Sequence, residues 1–130
     1  MFSIDDFAQL QFLVGRWRGE SADGKPFYEE YDHPGPNVFQ SHRYADESFV
    51  ERTDGSTISF KDGEIISQWG DFTWRASRIG RDSAVFEPVS APSRFEWRRV
   101  DEATLEAHQH WTAEGKEQQH TIRLARVIAI

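Results

Sequence analysis

The stretch Gly15-Arg16-Trp17-Arg18-Gly19-Glu20, "GRWRGE", follows the apolar run Phe12-Leu13-Val14 and sets a tryptophan between two arginines and two glycines. If it is a strand, side chains alternate between faces. Gly15, Trp17 and Gly19 then share one side, and Arg16, Arg18 and Glu20 the other. The arginines therefore do not sandwich the indole. Glycine on both sides of a Trp on one face is what a strand needs where a large ring must lie across its inner surface.

Upstream, Ser3-Ile4-Asp5-Asp6-Phe7 reads as a capped helix start, with Ser3 able to accept from an orphan amide and two acids at the positive end. Ile4, Phe7 and Leu10 give an apolar stripe at helical spacing, so a short helix is expected to end before Gly15. Downstream, short segments rich in aromatic and β-branched residues alternate with turn signals at 22–26, 33–37, 53–56, 61–63, 79–83, 89–93, 100–103 and 113–116. Three of these contain Asp-Gly, at Asp23-Gly24, Asp54-Gly55 and Asp62-Gly63, a pair that tolerates the positive φ of a tight hairpin.

About ten strands in an up-and-down meander result. Left open, so many antiparallel strands would expose two long edges, so closure into an all-β barrel over residues 1–130, one domain with a short N-terminal helix, is the expected fold.

Composition narrows the function. The 130 residues carry a net charge of −7, no cysteine, five Trp and ten Phe. Absence of cysteine removes thiolate metal sites and a Cys nucleophile. The acidic balance and scattered arginines argue against nucleic acid as a partner. No apolar run approaches the roughly 18 residues of a membrane span, and the acidic N-terminus is unlike a secretory signal, so a cytoplasmic protein with no membrane partner is expected.

Strand parity assigns candidate inward faces: Phe72, Trp74 and Ala76; Phe95 and Trp97; Leu105, Ala107, Gln109 and Trp111. His108 and His110 share the opposite face with Glu106 and read as solvent-facing rather than as a metal pair. His120 shares parity with Ile122 and Leu124 and is expected to point inward, where an imidazole needs a partner in the protein or in a ligand. In "YEEYDH", Tyr28 to His33, Glu29 and Tyr31 share one face and Glu30 and Asp32 the other. The carboxylates diverge, as on a solvated edge. No local catalytic signature occurs.

Phe12-Leu13-x-Gly15-x-Trp17-x-Gly19, with the helix before it and the meander after it, resembles the calycin superfamily of lipocalins, fatty-acid-binding proteins and nitrobindins. The run is most similar to nitrobindins and bacterial calycin-like families, which also have counterparts of "YEEY" at Tyr28 to Tyr31 and "FEWRRVDEATLEA" at Phe95 to Ala107. The likeness spans nearly the whole chain.

It implies that Gly15, Trp17 and Gly19 form a closure in which Trp17 packs under Arg123 or Arg126 from the last strand. It also implies a ligand-binding interior, here drawn on Phe72, Trp74, Trp97, Trp111 and His120. The expected partner is a small apolar or aromatic molecule held without catalysis and without a cofactor.

Two alternatives accompany this reading. One is nitrobindin-like haem ligation through His120, although Ser21 stands where nitrobindins have glycine. The other is a scaffold with a filled interior, acting through its surface or as a homodimer.

Overall fold

The computed structural model describes residues 1–21 and 23–127. A helix α1 (Ile4–Ala8) tightens into a 3-10 segment (Gln9–Leu13). Ten strands follow: β1 (Gly15–Glu20), β2 (Pro26–Gly35), β3 (Val38–Tyr44), β4 (Arg52–Lys61), β5 (Glu64–Trp69), β6 (Phe72–Ile79), β7 (Ser83–Ser90), β8 (Arg94–Asp101), β9 (Thr104–Ala113) and β10 (Lys116–Arg126). Each strand pairs antiparallel with its sequence neighbour, and β1 meets β10, so the sheet closes on itself. No helix among the described residues is long and apolar enough to cross a membrane.

Ser3 and Asp6 cap α1 reciprocally. The Asp6 N–H donates to Ser3 Oγ at 3.1 Å, and the Ser3 N–H donates to Asp6 Oδ2 at 2.9 Å. The apolar stripe differs from the expected one: Phe7, Leu10 and Leu13 are fully buried, while Ile4 is 44% exposed. Tightening to about three residues per turn after Ala8 aligns residues 7, 10 and 13. Phe7 lies edge-on to Phe39 with ring centroids 4.9 Å apart, so helix and 3-10 segment stopper one end of the barrel.

Trp17 is fully buried at that end. Its indole N–H donates to the Leu13 carbonyl at 2.8 Å, tying strand to stopper. The Arg126 guanidinium lies 4.3 Å from the ring centroid, and it donates to the carbonyls of Val14 at 3.0 Å and Glu102 at 2.9 Å. Gly15, at φ +133°, leaves the space that Arg126 Nη1 fills. At Gly19 a Cβ would lie 2.6 Å from the Phe27 ring. Arg16 and Arg18 lie on the outer face, where Arg16 pairs with Glu30 at 2.9 Å.

The turns sort by φ. Asp62-Gly63 (φ 54° and 80°) and Glu114-Gly115 (φ 53° and 74°) are two-residue connections between paired Lys61/Glu64 and Ala113/Lys116. Both central residues take the positive φ of a type I′ turn. Asp54-Gly55 is not a turn, contrary to the sequence expectation. It lies inside β4, and β3 reaches β4 through residues 45–51. A Cβ on Gly55 would collide with the Ser41 carbonyl oxygen, so this glycine permits close approach of two strands.

The connections β1–β2, β3–β4, β5–β6, β7–β8 and β9–β10 therefore gather at the end opposite the stopper, which is the open mouth.

Trp17→Ala removes the ring on which stopper, β1 and Arg126 converge. It should cost about 3 to 5 kcal/mol, the range for deleting a large core aromatic, read as a lowered midpoint in chemical denaturation. An unchanged midpoint would show that the closure does not depend on the indole.

Candidate functional site

Above the stopper the barrel keeps a cavity of about 230 Å³ that opens at the mouth. Its two sides differ in chemistry. On one side Trp74, Phe95 and Trp97 form an edge-to-face aromatic array, with Phe95 5.2 Å from Trp74 and 6.1 Å from Trp97 between ring centroids. The Trp74 indole donates to the Ser93 carbonyl at 2.6 Å, which fixes the orientation of that wall. Phe86 stacks behind Phe95 at 4.9 Å.

The other side carries polar groups on β2, β3 and β5: Glu29, Tyr31, Ser41, Arg43 and Ser67. The β2–β3 register sets Glu29 opposite Arg43 and Tyr31 opposite Ser41. Glu29 is only 7% exposed. Arg43 donates to Glu29 Oε2 from Nη2 at 3.0 Å and from Nε at 3.4 Å, with its guanidinium 4.5 Å over the Phe27 ring and 6.0 Å from Trp69. The ion pair thus stands between the interior and a mouth rimmed by Trp69 and Phe72.

Burial, and then the neighbouring Glu29 charge, hold the Tyr31 phenol well above its ordinary range, so it stays a neutral O–H donor at physiological pH. Tyr31 also packs edge-on to Trp97 at 5.8 Å, joining the two sides of the cavity.

Of the residues expected to line a site, Trp74 and Trp97 lie on the aromatic wall, and Phe72, 40% exposed, lies at the mouth. Trp111 and His120 do not line this cavity. His120 pairs across the strands with Gln109, which does line it, and its Nε2 is buried with no hydrogen-bond partner. Arg126, not Arg123, covers Trp17. Arg123 faces outward and binds Glu106 at 2.8 Å.

His108 lies on that outer face too, 3.1 Å from Glu106 and 3.0 Å from the Thr121 hydroxyl. Arg123 and then His108 hold the Glu106 carboxyl below its usual range. Among the described residues no group of three His, Asp or Glu side chains is placed to hold a metal.

Glu29, Tyr31 and Arg43 were not singled out from sequence. The parity that groups Glu29 with Tyr31 is the one observed. The solvated edge invoked for the carboxylates does not exist, because a closed barrel has no edge and this face looks inward. Opposite charges on adjacent strands were the available signal, but counting outward from Gly35 and Val38 sets Glu29 against Tyr44. A register shift between Asp32 and Gly35 brings it opposite Arg43, and a short window does not contain that shift.

A haem does not fit the residues present. His120 lies outside the cavity lining, and 230 Å³ is below even the roughly 300 Å³ where pockets for drug-sized ligands begin.

No family model and no curated protein matches the chain. Among solved structures it is similar to a redesigned β-barrel, at 12% identity over 92% of this chain and 96% of that one, with a TM-score of 0.43.

Because the folded pKa of Tyr31 is raised, its contribution is complete below the ordinary phenol pKa of 10.0 and is lost as pH rises through the folded value. Tyr31→Phe should therefore flatten the decline of stability above about pH 10 seen in the parent protein. Melting curves from pH 8 to 12 measure it; parallel declines in both proteins would overturn the assignment.

Proposed function

We propose that the protein is a calycin-like barrel that binds a small aromatic molecule without transforming it. The observation that carries this reading is the two-sided cavity. An aromatic wall offers dispersion and stacking to a ring, and polar groups opposite fix its orientation, the usual composition of a small-molecule site. Volume sets the scale. An apolar cavity of about 150 Å³ accommodates benzene, so 230 Å³ suits one substituted ring rather than a long acyl chain. Fixed rings such as Trp74 keep the wall formed before a ligand arrives, which lowers the ordering cost of binding.

The same modest volume favours the second reading, a scaffold whose interior is closely filled and whose role lies on its surface.

Calorimetric titration with neutral single-ring and fused-ring aromatics, a long-chain fatty acid and haemin separates the two. Rings should bind and the two larger ligands should not. Ala107, on the cavity wall, gives the control: Ala107→Leu fills part of the space and should weaken ring binding by about tenfold or more while the barrel stays folded. If no ring compound releases or absorbs binding heat, the scaffold reading replaces this one.

A further inference from the structure

We propose that the cavity selects ring ligands bearing an N–H-donating head, of the amidine or aminopyridine type, which Glu29 receives, and that it rejects carboxylate ligands of the same size. This rests on the ligand-binding reading above and specifies the ligand's chemistry.

Three observations carry it. First, among the described residues the one cationic side chain in the lining already has a carboxylate partner. Arg43 directs both Nη2 and Nε to Glu29 and lies over Phe27. A ligand carboxylate at the remaining Arg43 N–H groups would sit beside the Glu29 carboxylate, and one that drew the guanidinium away would leave a carboxylate 7% exposed without its cation. An abandoned buried charge is far costlier than a new surface pair is favourable.

Second, both Arg43 bonds fall on the same oxygen, Oε2. Glu29 Oε1 receives no bond from the guanidinium; the Tyr31 phenol is the carboxylate's other neighbouring donor, so lone-pair capacity remains for a ligand N–H. Charge-assisted bonds of that kind are roughly twice as strong as neutral ones.

Third, the field of the lining favours a cation. Glu29 and Asp54 outnumber Arg43 by one formal charge, since two carboxylates are set against one guanidinium. Across the cavity, Trp74 and Trp97 supply indole rings on which a delocalised cation can lie, an attraction strongest where water is excluded. A planar cationic head on a single ring satisfies the carboxylate, the aromatic wall and the volume together.

Benzamidine and benzoate test this directly, being planar, equal in heavy atoms and opposite in charge. In calorimetric titrations of the full chain at near-physiological salt, benzamidine should bind at least about tenfold more tightly than benzoate. In a Glu29→Gln variant shown to be folded by circular dichroism, that preference should disappear.

Benzoate binding as well as or better than benzamidine would overturn the proposal and make Arg43 the anchor. So would a preference that survives in folded Glu29→Gln. The wild-type comparison decides the matter even if the variant does not fold. If neutral toluene or phenol binds while neither charged probe does, the charge selection fails and the pocket reading stands. If no ring compound binds, both fall.

Discussion

The contact between Trp17 and Arg126 is the constraint on which the barrel depends. One tryptophan, from the first strand, is fixed by its indole N–H to the stopper at Leu13. One arginine, from the last strand, covers the ring and bonds the carbonyl of Val14 and that of Glu102 in the β8–β9 turn. Stopper, first strand and last strand therefore share a single packing unit. The cation on the ring contributes about 1 kcal/mol or more once desolvated. Its larger effect is geometric: it fixes which residues of β10 lie beside β1, hence which side chains of β10 look inward.

Much of the architecture was legible because it follows from local rules. Alternating glycines around Trp17 disclosed the crossing ring, and Asp62-Gly63 disclosed a hairpin whose two residues both need positive φ. The same dipeptide misled at Asp54-Gly55. There the glycine answers to a neighbouring strand's carbonyl, a tertiary requirement that a short window does not contain.

The site was less legible for a related reason. Hydrophobic alternation reveals an inward face when that face is apolar, as at Trp74 and Ala76. On β2 both faces are polar, so the pattern around Glu29 and Tyr31 does not say which one is enclosed. His120 had the opposite problem: parity gives a side of the strand, not whether the barrel wall at that height still borders the cavity.

That polar side is also poorly explained as a stabilising element. Holding a carboxylate inside a barrel costs solvation that a half-exposed arginine recovers only in part, and an apolar pair of similar volume would serve the core at least as well. On the ligand-binding reading proposed above, this ion pair facing rings across the cavity is a recognition surface, held in place by the strand register that brings Glu29 and Arg43 together.

The seam between β1 and β10 has a consequence for how such a ring comes together. Of the ten interfaces around the barrel, nine join strands adjacent in the chain, and only this one joins its ends, through partners as far apart as Val14 and Arg126, 112 residues. Among the described residues its ladder has three pairs, and the Val127 N–H donates to the Arg16 carbonyl at 2.8 Å beyond them. Bringing together the ends of a disordered segment of that length costs about 4 kcal/mol in chain entropy beyond the constant for any loop, and far less when the hairpins between them have already curled into a sheet. The seam can therefore close late, because curvature supplied by the nine local interfaces does most of the gathering before the two edges touch.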